Sequence, residues 1–344
     1  MVDGTNRIDE IVKTAASDQQ PALAITDLCN LFGAVKFYKE CRGKGVKPLI
    51  GADVWVEVPG KDVSAPPARL LLLAQNHRGY LNLCELLTRA WTKNAIQHQA
   101  VIKLVWLQPD GDNLGEGLIA LSGAQGGAVG QALLQGDTNR AIHSAQHFAG
   151  LFPHRFYLEV QRAERVDDER HVVATVQLAG KLKLPVVATH PVQFLTYDDY
   201  EAHEARVCIS EGEILGNARR VRKFTRQQYF KSSAEMAVLF ADLPVALANA
   251  GEIAKRCNLR LELGKPMLPE YPTPEVTGVC MSPDDYFRHA SFEGLEERLA
   301  HLYPGLAVRD AKRPEYVARL EFEINTILSM GFPGYFLIVG DFIN

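Results

Sequence analysis

The chain has 344 residues, 47% hydrophobic and 23% charged, with a formal net charge of −4. That composition supports a real core over about two domains and excludes both a disordered polyelectrolyte and a chain marked as a nucleic-acid binder by bulk charge alone. Six cysteines, at 29, 41, 84, 208, 257 and 280, lie far apart with no C-x-x-C pair, so reduced thiols are expected rather than a zinc knuckle or a disulfide framework. The N-terminus has no apolar signal core and no stretch of 18 apolar residues occurs, so the expectation is a soluble, cytoplasmic protein.

In chain order, Ile8–Ala16 reads as a helix, with any strand feeding it missing. Next comes Pro21-Ala-Leu-Ala-Ile-Thr-Asp27, whose short apolar run Ala22–Ile25 lacks alternation and suits a strand buried on both faces. Further strand-like runs appear at Leu49–Val58, Leu70–Ala74, Leu118–Leu121, Phe156–Val160 and Pro185–Ala188. Helix-like segments follow most of them, at Leu31–Cys41, Tyr80–Trp91, Ala141–Phe152, Asp168–Leu182 and Tyr200–Ile209. Strands spaced by helices predict an α/β fold, a barrel or a wound sheet, with parallel pairing through crossovers.

From about Phe224 the rhythm changes. Ser232-x-x-Glu235 is a capping box, Asp242-Leu-Pro244 opens another helix running to Cys257, and Lys265–Pro274 is a proline-rich extended boundary. Ser282-Pro-Asp-Asp285 starts a helix with an apolar face at Phe292, Leu295, Leu299 and Leu302. A last helix is predicted to begin near Pro314, with Val317, Leu320, Ile324 and Ile327 on one face and Gly331 and Pro333 ending it. The sequence stops in mid-pattern at Asn344, as if cut.

Several constellations carry possible chemistry. Asp27, after the first strand, is either a ligand-facing carboxylate or a helix N-cap. Asp27 and Asp53 could share a divalent ion, but two carboxylates are too few for a tight catalytic site, and a cap plus a surface acid is the simpler reading. His190 ends a strand beside poor ligands and reads as a polar loop histidine, while His143 and His147 read as a solvated helix face. Ser122–Gly130 is glycine-rich after a strand; it matches no phosphate-loop pattern, and a tight turn accounts for it. Arg219-Arg-Val-Arg-Lys223 is the one dense basic run; it could touch a phosphate backbone, though a solvated loop is the simpler reading.

Taken together, Pro21–Asp27, Lys47-Pro-Leu-Ile-Gly-Ala-Asp53, Leu71–Leu83, Gly117–Gly123, Leu184–Thr189, Phe240–Asn249, Glu252–Asn258 and Gly331-Phe-Pro-Gly-Tyr-Phe-Leu-Ile-Val339 resemble the N-terminal region of bacterial replicative DNA polymerase III alpha subunits. The resemblance runs in order over essentially the whole chain. It implies a polymerase-and-histidinol-phosphatase (PHP) domain, a distorted β/α barrel of the seven-stranded type lacking its first strand, over residues 1–264. A connector over 265–281 and the opening of the polymerase palm over 282–344 complete the expected organisation. A barrel short of one strand would expose two unpaired edges and make the fragment poorly stable.

The departures from the family pattern are as informative as the match. Metal-bearing PHP domains begin with His-x-His, which has no counterpart here, and their Asp-His after the second strand is Asp27-Leu28. A histidine opening the third strand corresponds to Arg69, a cysteine after Ser-Gly to Ala124, and the late Asn-Asp-x-His to His190-Pro-Val-Gln193. Only Asp27 and Asp53 retain a carboxylate among these vestigial metal-site positions. The resemblance therefore implies no catalytic residue and no metal cofactor in this stretch, with Mg2+, dNTPs and the DNA template-primer handled by later parts of a full-length polymerase. It also implies docking of a separate proofreading exonuclease subunit alongside other replicase subunits. The competing enzyme reading, a stand-alone metal-dependent PHP phosphoesterase, needs the His/Asp/Glu set that is lost.

Overall fold

In the computed structural model, residues 4–60, 66–96, 99–217, 219–265, 269–276 and 279–343 are described. The strands are β1 (Ala22–Ile25), β2 (Lys47–Val56), β3 (Ala68–Ala74), β4 (Ala95–Ile96), β5 (Gln99–Ile102), β6 (Leu118–Leu121), β7 (Phe156–Gln161) and β8 (Val186–Thr189). The helices between and after them are α1 (Ile8–Ser17), α2 (Ala34–Gly43), α3 (His77–Lys93), α4 (Ala128–Leu134), α5 (Thr138–Leu151), α6 (Asp168–Leu182), α7 (Tyr200–Glu211), α8 (Ser233–Leu239) and α9 (Pro244–Arg256). The strands form one curled half-barrel sheet in the order β4-β5-β2-β3-β6-β7-β8, with β1 paired to the first half of β2. Among the described residues the sheet does not close. The chain is thus mixed α/β, as its sequence pattern implies.

Alternation assigns each strand two faces. Ile50, Ala52 and Val54 of β2, Leu70 and Leu72 of β3, Leu118 and Ala120 of β6, and Leu158 of β7 point one way. They pack on Phe37 and Cys41 of α2, Leu83 and Leu86 of α3 and Phe148 of α5. The opposite parity, Leu49, Leu73, Ile119, Leu121, Tyr157 and Val187, packs on Ile253 of α9 and on Cys257 just beyond it. The sheet therefore has helices outside and α9 against its concave side.

The expected all-parallel pairing is corrected in the middle of the sheet. β3 runs antiparallel to both β2 and β6, whereas β1–β2, β2–β5, β6–β7 and β7–β8 are parallel. The link from Val56 to Ala68 is too short for the helical crossover that a parallel return requires. β4, β5 and α4 are further elements that the expectation lacks. α2 starts at Ala34, not Leu31: the Asn30 carboxamide oxygen accepts a bond from Phe32 N–H at 3.1 Å, which holds Leu31–Gly33 in a turn.

The chain divides into two compact units, Met1–Leu261 and Glu262–Asn344. The second contains a hairpin of β9 (Glu275–Val276) and β10 (Val279–Cys280), followed by α10 (Pro283–Leu302), α11 (Leu306–Ser329) and α12 (Pro333–Ile343). Ser282 caps α10 as expected, its Oγ accepting from Asp285 N–H at 3.1 Å. Pro314 does not start the last helix but lies inside α11. An interior proline removes one rung of the ladder; Leu320, Ile324 and Ile327 still bury against Phe287 of α10 and Leu337 of α12, and that packing offsets the loss. Leu302, assigned to the apolar face of α10, is exposed. No single helix among the described residues is long and apolar enough to cross a membrane.

Candidate functional site

The concave side of the sheet is apolar at one end and polar at the other. Continuing the inner parity of Leu49 along β2 gives Asp53 and Trp55; that of Leu73 along β3 gives Arg69. The same step from Tyr157 gives Glu159 and Gln161 on β7, and from Val187 gives Thr189 on β8. These polar residues, with Asp27, line an open cleft of about 1120 Å3.

Arg69 and Asp53 dominate one wall. Arg69 Nε donates to Asp53 Oδ1 at 3.0 Å and Nη2 donates to Oδ2, a two-pronged pair between adjacent strands. The guanidinium carbon lies 4.8 Å from the centre of the Trp55 ring, which fixes its plane. The Asp53 backbone is clamped as well: its N–H donates to Asp27 O at 3.2 Å and its carbonyl accepts from Cys29 N–H at 2.8 Å. Asp27 therefore sits on the loop after β1 beside Asp53, and its side chain is exposed. It is not a helix cap, because the residue at that position of α2 is Gly33.

Across the cleft lies Glu159, which the sequence reading overlooked. It is 1% exposed. Its carboxylate accepts from Thr189 Oγ1 at 2.5 Å, Gly123 N–H at 3.1 Å and Gln161 Nε2 at 3.2 Å, while its own N–H donates to Ser122 Oγ at 2.9 Å. Burial pushes the carboxyl up to about 7, with the Asp53 charge adding to the rise and the hydrogen bonds opposing it. The available signal was an acid in mid-run, Phe156-Tyr-Leu-Glu-Val160, where a strand buried on both faces tolerates a charge only with partners.

The glycine-rich segment is a close-approach turn. A Cβ on Gly127 would lie 1.7 Å from Ser122 O, and one on Gly123, at φ +77°, would lie 2.4 Å from Arg69 O. The glycines thus let the turn after β6 pass under β3 and aim the Gly123 N–H at Glu159. His190 Nε2 donates to Gln227 O at 2.8 Å, and burial lowers the imidazole to about 4, so it stays neutral. His143 is exposed, whereas His147 is partly buried and lowered by that burial, so the pair is not a uniformly solvated face. The basic run is answered by acids of α7: Arg220 pairs with Glu204, both buried, and Lys223 pairs with Glu211 at 2.6 Å.

As donors these side chains do not fit the divalent cluster that PHP resemblance would imply. Arg69 occupies both oxygens of Asp53 with a fixed positive charge, and the oxygens of Glu159 are already taken by Thr189, Gly123 and Gln161 while burial raises its carboxyl to about 7. Among the described residues no three His, Cys, Asp or Glu side chains gather as a metal-holding group.

Residues 1–163 match the family model of the PHP domain, and residues 285–344 match that of the bacterial DNA polymerase III alpha NTPase domain. DNA polymerase III subunit alpha of Pseudomonas aeruginosa is 49% identical over 344 residues, covering 100% of this chain and 28% of the relative. The same subunit from Neisseria meningitidis serogroup A is 50% identical, covering 100% and 30%, and that of Escherichia coli K12 is 44% identical, covering 100% and 29%. The chain thus spans less than a third of the length of these relatives. Matched end to end at this identity, it belongs to the DNA polymerase III alpha subunit family, as the PHP domain and the opening of the region that follows.

Proposed function

We propose that this chain is the N-terminal scaffold of the catalytic alpha subunit of a bacterial replicase, a cytoplasmic DNA-directed DNA polymerase. The observation that carries the reading is 44–50% identity, over the whole length of the chain, with DNA polymerase III alpha subunits. Nucleotidyl transfer with Mg2+, dNTPs and template-primer belongs to parts of the longer protein outside these residues. Residues 1–264 are the PHP domain, 265–281 the connector and 282–344 the start of the palm region.

Within this reading the PHP domain works without a metal. Asp27 and Asp53 are vestiges of a site, and Arg69 supplies the positive charge that holds Asp53. The domain's role is structural, and it docks the proofreading exonuclease subunit, as the family resemblance implies. Primer extension by the full-length protein with Mg2+ and dNTPs tests the polymerase reading, and complete inactivity overturns it. Co-purification of the full-length protein with the exonuclease subunit tests docking; failure to associate at micromolar concentration counts against it.

A further inference from the structure

Helix α2 carries an exposed basic face that its sequence conceals by spacing. Between Ala34 and Lys44 there are four cations, Lys36, Lys39, Arg42 and Lys44, against one acid, Glu40, in a chain that is net acidic. Ala34, Phe37, Tyr38 and Cys41 bury one side of the helix. Lys36, Lys39 and Arg42, three residues apart, fall on the other side and are exposed. None of these three forms an ion pair among the described residues; only Lys44 does, with Glu40 at 3.4 Å.

Apolar and aromatic groups continue the same stripe. Val35 is 43% exposed between the cations, and Phe32, in the turn that leads into α2, is 79% exposed. The Asn30 bond to Phe32 N–H fixes the turn that presents the ring. Trp91, half exposed, is pinned beside that loop by Nε1 donating to Cys29 O at 2.9 Å. The Arg219–Lys223 run differs at this point, because Arg220 and Arg222 lie against Glu204 and Lys223 against Glu211, both acids of α7.

We infer that the exposed face of Phe32–Arg42 is a contact for single-stranded nucleic acid, with Lys36, Lys39 and Arg42 on phosphates and the Phe32 ring as a stacking surface. Aligned cations beside exposed aromatic rings are the combination that holds a single strand without reading its sequence. A row of lysine and arginine heads whose one neighbouring acid on the helix, Glu40, pairs with Lys44 complements a polyanion. The inference rests on the polymerase reading for its nucleic acid, which is DNA.

The test uses the full-length protein and a fluorescent primer-template with a single-stranded template extension, followed by anisotropy between about 50 and 200 mM salt. The K36Q/K39Q/R42Q variant is expected to flatten the slope of log affinity against log salt by about 2, since each single-strand phosphate contact contributes about 0.7. F32A is expected to weaken binding about fivefold or more, as loss of one stacked base does. R222Q/K223Q, on the neutralised run, leaves the slope unchanged. All the substituted side chains are at the surface, so unchanged thermal unfolding separates a lost contact from a lost fold. A slope unaltered in the triple variant overturns the inference. So does a triple variant that keeps its DNA affinity yet loses competition by poly-glutamate, which assigns the face to an acidic protein. Primer extension by the wild type under the same conditions shows that failure here is not failure of the polymerase reading.

Discussion

The two faces of the sheet come from the same strands but obey different rules. On the outer face, Ile50, Ala52, Val54, Leu70, Leu72, Leu118 and Leu158 meet helices and are essentially dry, so only shape and volume matter there. On the inner face the apolar set ends partway along each strand, and Asp53, Arg69, Glu159, Gln161 and Thr189 take over at the cleft. There each group must find a charge or a hydrogen bond, because an unsatisfied polar group out of water is costly. The lesson is that the outer packing of a curled sheet is set by shape and volume, whereas each polar group of its interior, such as Asp53 with Arg69, depends on a particular partner.

Substitutions on the two faces should separate these rules. Leu72→Ala, on the fully buried outer face, is expected to cost about 3 kcal/mol or more through the cavity it leaves, whatever the pH, as measured by urea unfolding. Glu159→Gln should instead change the pH dependence. The folded carboxyl is raised from 4.5 to about 7, so the folded state binds more protons than the unfolded one. The native protein should therefore be most stable, with respect to this group, below about pH 4.5, and lose up to about 3 kcal/mol as pH rises to 7. The difference between wild type and Glu159→Gln in melting temperature, followed from pH 4.5 to 8, checks this; a pH-independent difference contradicts it.

Arg69→Ala, which leaves Asp53 without its two-pronged partner, is expected to cost about 2 kcal/mol. Arg69→Lys should recover only part, because a lysine offers a point charge and cannot match both oxygens. At the smallest scale, Ser232→Ala removes a side-chain oxygen that accepts from Glu235 N–H at 3.2 Å, and should cost about 1 kcal/mol.

Much of the outer architecture was legible in the sequence because apolar runs and turn residues mark element bounds, although β1, expected to be buried on both faces, is only partly buried with Ala24 exposed. Ala22–Ile25, Leu118–Leu121 and Asp168–Leu182 form as elements with the bounds that pattern and turn residues imply. The antiparallel placement of β3 was not legible, since an apolar run says nothing about the direction of its neighbour. Pro314 misled because propensity yields to packing of the residues after it. At the site, the Arg69–Asp53 pairing depends on strand register, and register emerges only when β2 and β3 are side by side. The basic run at Arg219–Lys223 stood out because it is contiguous, while the α2 cations are hidden by helical spacing until the helix is seen to expose them.

The central claim is that Arg69, and not a divalent ion, supplies the positive charge at Asp53. The direct measurement is the metal content of the full-length protein purified without chelator and dialysed, determined by elemental mass spectrometry and repeated for Arg69→Ala. The account predicts well below one equivalent of zinc or manganese bound to the wild type. Stoichiometric, tightly held metal in the wild-type PHP domain, accompanied by metal-dependent phosphoesterase activity, would contradict it.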